Sequence, residues 1–288
     1  IDKELLSGVD AVVYLAAISN DPMGASFEAV TLDVNHRAAI TLAEQVRAAG
    51  AKSFVFASSC SVYGFAEGGA KTEESEVNPL TAYAKSKVGA EKDLSTLASQ
   101  NFAVTCLRFA TACGMSERLR LDLVLNDFVA SAVTAKKITI LSDGTPWRPL
   151  IHIRDMARAI DWGVQRKSAD GGAFLSVNVG SDGWNYQVRD LATAVSKAIP
   201  NVEISINQNA QPDKRSYRVS FQKFRRLAPH YQPEVDLDAA IVDLKTGLEK
   251  MGFADREFRN SHLIRLNMLK DLKLQGCLSE DLRWISSS

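Results

Sequence analysis

The chain has 288 residues, 46% of them hydrophobic and 24% charged, the ordinary balance of a globular protein with a sizeable core. Lys plus Arg equal Asp plus Glu at 34 each, which removes the basic field expected of a nucleic-acid binder. No apolar run approaches the roughly 20 residues of a membrane span. Cys60, Cys106, Cys113 and Cys277 show neither a metal-binding spacing nor the density of a secreted disulfide scaffold, so the sequence reads as cytoplasmic, with no metal site.

In chain order, Ile1–Leu6 reads as a helix running into a strand, so the chain is expected to begin inside a fold. Val9–Ala17 is a continuous apolar run, the pattern of a strand buried on both faces. Ala29–Gly50 has helical periodicity and a glycine stop, and Lys52–Ser59 is a second buried strand. A loop over Gly64–Asn78 leads to a helix that Pro79 helps to start, followed by a third strand, Phe102–Ala110. Alternation of strand and helix implies right-handed crossovers and a parallel sheet covered on both sides.

Beyond that point the expected elements are shorter. Helices are expected at Leu121–Thr134, Asp155–Gln165, Tyr186–Ile199, Leu237–Met251 and His262–Leu274. Strands or extended pieces are expected at Ile138–Leu141, Ala173–Val179, Val202–Ile206 and Tyr217–Val219. The second half therefore reads as a smaller α/β lobe interwoven with the first.

The chemistry centres on Tyr83 and Lys87. Four residues apart on a helix, they share one face. A phenol ionises near pH 10, too high for proton transfer at neutrality, and a neighbouring ammonium is expected to lower that value. Ligands of open parallel sheets bind beyond the carboxyl ends of the strands. Leu15, Ala16 and Ala17 close the first strand, Ser58 and Ser59 the second, and Arg108 to Thr111 the third. Ser59 can hold a substrate oxygen while Tyr83 exchanges its proton; alternatively its hydroxyl caps a turn.

The segments LAA at 15–17, SSCSVYG at 58–64, YAKSK at 83–87, LRFAT at 107–111, DGTPWRPLIHIRD at 143–155, NVG at 178–180 and PDKRSYRV at 212–219 occur together and in this order. They resemble the extended short-chain dehydrogenase/reductase family, in particular its nucleotide-sugar epimerases, dehydratases and ketoreductases. The resemblance implies an α/β fold: a Rossmann-like doubly wound parallel sheet with a smaller substrate lobe. It places the NAD(P)-binding part in residues 1–116, with parts of 147–165 and 210–222, and the nucleotide-sugar lobe mainly in 117–288.

By the same resemblance Ser59, Tyr83 and Lys87 are the catalytic residues, and Leu15, Ala16, Ala17, Asn35, Ser58, Tyr83 and Lys87 face NAD or NADP. Ser59, Asn126, Arg148, Asn178 and Arg215 face a nucleotide-diphosphate sugar, the two arginines suiting a diphosphate because their planar fork donates in pairs. For Arg148, Arg215 and Arg218 a surface salt bridge is the alternative, while Arg118 and Arg120 read as a solvated loop, with contact to the sugar or phosphates as their alternative. His152 reads as structural, Trp147 and Trp162 as packing, and Trp184 as a residue on a pocket loop. A homodimer is implied, through apolar outer faces carrying Ala38, Ala39, Leu42 and Val46 on one helix and Val88, Leu94 and Leu97 on the other.

Two departures shape the expectation. Dehydratases of the family carry an acidic pair where this chain has Cys60 and Ser61, so dehydration is disfavoured. Cys60 is then either a tunable acid/base or a small buried residue. The Gly-rich turn that receives a cofactor pyrophosphate has no counterpart before Leu15, about 60 residues at roughly 30 per βαβ unit. The reading is an NAD(P)-dependent epimerase acting through a keto-sugar, with a ketoreductase or a truncated non-catalytic nucleotide-sugar-binding protein as alternatives.

Overall fold

The structure is a computed structural model that describes residues 1–65, 68–207, 210 and 216–285. Its strands are β1 (Ala11–Tyr14), β2 (Ser53–Ser59), β3 (Ala103–Phe109), β4 (Thr111–Cys113) and β5 (Lys137–Ile140). They continue with β6 (Trp147–His152), β7 (Phe174–Val179), β8 (Asn185–Gln187) and β9 (Glu203–Ile206). The helices of the first half are α1 (Asp21–Ser26), α2 (Glu28–Leu32), α3 (Ala38–Ala48), α4 (Ala82–Leu97) and α5 (Val124–Thr134). Those of the second half are α6 (Ile153–Gln165), α7 (Val188–Ala198), α8 (Gln222–Leu227), α9 (Leu237–Lys250) and α10 (Arg265–Leu274).

The main sheet runs β1-β2-β3-β7 with every neighbouring pair parallel, as the alternation of strands and helices predicts. Both faces are covered, which is why the strands read as unbroken apolar runs. Phe54, Phe56, Val104 and Cys106 point to one face and pack with Ala39, Ala43 and Val46 of α3 and Ala90, Leu94 and Leu97 of α4. The alternate residues Val55, Leu107 and Val177 pack on the other face with Ala159 and Trp162 of α6. A further core joins α5, α7 and α9 around Leu125, Val129, Leu191, Ile241 and Leu244. Two small sheets, β4-β6-β8 and β5-β9, connect the main sheet to that core.

Several expected elements change on folding. The first strand ends at Tyr14, so Leu15–Ala17 form its exit loop. The long helix expected over 29–50 is interrupted by a π turn at Asp33–Arg37. That wider turn holds Asn35, which donates to and accepts from the backbone of Ile18. The expected start of helix 186–199 is instead strand β8, and β6 was not anticipated as a strand. Tyr217–Val219 makes a single bridge, Lys71 to Val219.

The apolar outer faces expected of α3 and α4 are also revised. Ala39, Val46, Leu94 and Leu97 are buried in the sheet-facing core, because the sheet claims that stripe first. Ala38 is exposed and Leu42 and Val88 are half-buried as expected of an outer face, but the other exposed residues there include the polar Thr41, Glu44, Lys85, Lys92 and Asp93.

Buried Arg166 follows α6 and staples β3 to the segment before β7. Its guanidinium donates to Gly172 O at 2.6 Å, Val104 O at 2.9 Å and the Thr105 hydroxyl at 2.8 Å. Burial lowers its pKa from the usual arginine value.

Candidate active site

Strand β2 delivers Ser59 to the carboxyl end of the sheet, where the chain turns into a short 3-10 helix over Cys60–Tyr63. The Ser59 hydroxyl caps that helix by accepting from Ser61 N at 3.1 Å. Helix α4 begins at Ala82 because Thr81 is its N-cap: the Thr81 hydroxyl accepts from Ala84 N at 3.2 Å and donates to Asp21 at 2.8 Å. Tyr83 is thereby in the first turn and Lys87 in the second. Gly24 of α1 lies so close that a Cβ there would stand 3.3 Å from Tyr83 N, which leaves little room for a larger residue.

Tyr83 and Ser59 line the same crevice, and the Ser59 hydroxyl bears on the Tyr83 phenol. The phenol pKa is raised above 10, because burial outweighs the Ser59 hydroxyl and the Arg120 charge, both of which pull it down. The sequence expectation that Lys87 lowers this pKa is not met. Lys87 is only 2% exposed and donates to Ala57 O at 2.7 Å. Its ammonium lies 5.6 Å from the centre of the Tyr83 ring and 4.5 Å from that of Phe56. Burial brings Lys87 itself down to about 8, with Cys106 and Glu91 opposing.

These residues form one wall of a cavity of about 970 Å³ that also takes in Leu15, Ala17, Ser58 and Arg148. Leu15 is 59% exposed, and Ala16 is exposed beside it. Arg148 reaches the cavity from β6 and donates to Trp147 O at 2.8 Å. Arg215 lies outside the described residues.

The asparagines expected at the ligand are turned into the protein instead. Asn35 is fully buried, and besides Ile18 it donates to the Ser86 hydroxyl at 3.0 Å, tying the β1 exit to α4. Asn126 accepts from Gly114 N at 3.1 Å and donates to Arg120 O at 3.0 Å. Asn178 accepts from the Tyr63 hydroxyl at 2.7 Å and donates to Ser220 O at 3.3 Å.

Other residues reach the cavity that the sequence reading left aside. Arg120 was read as surface, yet it holds Asp122 through a fork of 2.6 and 3.0 Å, donates to Ser19 at 3.0 Å and lines the wall. Burial pushes the Asp122 carboxyl up, but the Arg120 and Asn20 bonds outweigh it and hold it below the usual range. The alternation Arg120-Leu121-Asp122, with Leu121 fully buried, was the available signal. Across the cavity Arg259 grips Asp127 at 2.7 and 2.8 Å, and burial still raises the Asp127 carboxyl. Buried Tyr217, packed with Cys60 and Phe109, and the segment Thr139–Ser142 also line the cavity.

Cys60 is buried, donates to Arg108 O at 3.1 Å, and has its thiol pushed up by burial, so it is a packed residue and not an acid/base. His152 is structural: Nδ1 accepts from Arg154 N at 3.2 Å and Nε2 lies 3.3 Å from Asp243. Trp184 packs on Tyr186 in the core, away from the cavity wall. Among the described residues no cluster has the donors for a metal ion, and no helix is long and apolar enough to cross a membrane.

The chain is 33% identical over 160 residues to an uncharacterized UDP-glucose epimerase, YtcB, of Bacillus subtilis, covering 54% of this chain and 49% of that protein. It is 31% identical over 177 residues to a UDP-glucose 4-epimerase of Haemophilus influenzae, covering 55% and 52%. The chain thus spans about half the length of these relatives. In fold it matches a UDP-glucose-4-epimerase of Stenotrophomonas maltophila, solved with bound NAD and formylated UDP-arabinopyranose. The TM-score is 0.75 and the identity 21%, over 87% of this chain and 80% of that one. The family model for the NAD dependent epimerase/dehydratase family matches residues 2–180, and the chain belongs to that family.

Proposed function

We propose that this protein is an NAD-dependent epimerase of nucleotide-diphosphate sugars that works through a keto-sugar. The observation that carries the reading is the meeting of Ser59, Tyr83 and Lys87 on one wall of a cavity of about 970 Å³, a volume suited to a large ligand. The β1 exit offers a fitting shelf for the cofactor: exposed Leu15 and small Ala17 stand on the same cavity as Lys87. NAD, when bound there, would take up and return a hydride.

The chain's own residues move the proton. Ser59 holds the sugar oxygen and Tyr83 exchanges a proton with it. The raised phenol favours the donor role toward a ketone oxygen, and alcohol oxidation returns the proton to the same atom. Lys87 supplies a positive charge beneath the ring. Arg148 suits the diphosphate. Dehydration lacks its acid pair, since Cys60 is buried and Ser61 is a hydroxyl. A homodimer remains part of this reading and is tested by sedimentation.

The test is to supply the purified protein with NAD and UDP-glucose or UDP-galactose and follow both sugars. Interconversion without net cofactor reduction, lost in Tyr83→Phe, supports the epimerase. Stoichiometric consumption of NADPH or NADH with a keto-sugar would replace it with a ketoreductase.

A further inference from the structure

Helix α4 meets β2 at successive residues. Lys87 donates to Ala57 O at 2.7 Å, and one turn later Glu91 accepts from the Ser58 hydroxyl at 2.5 Å. Ser59 is the next residue along the strand. Glu91 is 5% exposed, and both its oxygens are satisfied: Arg108 donates to them at 2.6–3.1 Å, and Ser176 at 3.1 Å.

Arg108 does not act alone on β3. Ser58, Arg108 and Asn178 are register partners across β2, β3 and β7. The row is cross-linked by Tyr63, which receives Arg108 at 3.0 Å and donates to Asn178 at 2.7 Å. The very next row contains Ser59.

We propose that Glu91 is a positioning residue: its carboxylate, shared between Ser58 and Arg108, fixes the end of β2 against α4 and so sets Ser59 opposite Tyr83. A buried ion pair is a poor device for stability alone, since apolar residues of similar volume replace such pairs without loss in other proteins. A directional carboxylate does what a greasy contact does not, which is to specify one rung of strand against one turn of helix.

Glu91 has an electrostatic consequence as well. The groups facing Lys87 are Tyr83 and Glu91 on its own helix, Cys106 on β3, and Ala57 O and the Phe56 ring on β2. Glu91 is the carboxylate among them, so it helps Lys87 keep its proton.

The catalytic part of this inference rests on the proposed use of Ser59, Tyr83 and Lys87, so the test has one arm that needs no turnover. Ser58→Ala keeps the Glu91–Arg108 pair and removes only the link to β2; Glu91→Gln removes the charge. In the cofactor-free protein the Tyr83 phenolate band, obtained by ultraviolet difference against Tyr83→Phe, moves to higher pH in both variants as Ser59 is no longer held toward the phenol. In the NAD-supplied enzyme kcat falls about tenfold in Ser58→Ala and about 100-fold in Glu91→Gln, with KM within about twofold. The alkaline limb of the Glu91→Gln pH profile also moves to lower pH.

An unmoved Tyr83 titration in folded Ser58→Ala overturns the positioning role, whatever the activity. Should Glu91→Gln fail to fold, Ser58→Ala decides. A wild-type protein that turns over no nucleotide sugar defeats the functional reading, and the titration still decides the positioning.

Discussion

The two walls of the cavity are built differently. On the sheet side, Ser58, Ser59, Tyr83 and Lys87 stand on β2 and α4 over buried ionic bonds, with Arg108 and Glu91 nearly closed to water. On the opposite side, Arg259 and Asp127 form a pair whose arginine is half exposed, and Leu141 at the rim is 80% exposed. The first wall is bonded internally and closed to water, and the second is open to solvent. On the proposed function, proton transfer falls on the closed wall and contact with the body of the ligand on the open one.

The contrast can be broken most sharply at Tyr83. Tyr83→Phe is expected to lower kcat by about 10²–10⁴-fold while leaving urea stability close to wild type, since the ring packing survives. Next in size is the buried pair: Arg108→Met leaves Glu91 without its cation and should cost about 3–5 kcal/mol in urea unfolding. Arg148→Met tests binding without chemistry, with KM rising about tenfold and kcat held, the pattern of lost uniform binding.

A pH profile sharpens the same comparison. Lys87 is brought to about 8 by burial, so kcat should fall as pH rises through that value and the ammonium is lost. A profile flat from pH 7 to 9 would remove Lys87's charge from the mechanism. The smallest effect is expected on the outer wall: Arg259→Ala should change stability by about 1 kcal/mol or less, as half-exposed pairs do, and any loss should appear in KM.

The parallel sheet was legible because both faces are covered: Phe54 and Phe56 serve one core and Val55 the other, which leaves an unbroken apolar run. Tyr83 and Lys87 were legible because helical spacing puts them on one face. Spacing carries no information about water, however, and the direction of the Tyr83 shift came from burial. The asparagines mark the same limit. An amide bonds whatever the tertiary fold brings to it, and Asn35, Asn126 and Asn178 each found backbone within the protein. Arg120 departs from its reading for the converse reason: its partner Ser19 lies 101 residues away in sequence, beside Asn20, which itself meets Asp122.

Asn35 has a consequence for amide exchange. Its side chain accepts from Ile18 N and donates to Ile18 O, so one amide side chain does for Ile18 what a neighbouring strand would do. Ile18 lies outside any strand, yet its N–H is buried and bonded, and it should exchange with solvent as slowly as the core of β2. The exit of β1 is then rigid without being regular. A ligand settling on Leu15 and Ala17 would meet a surface already ordered, and would lose little entropy in fixing it.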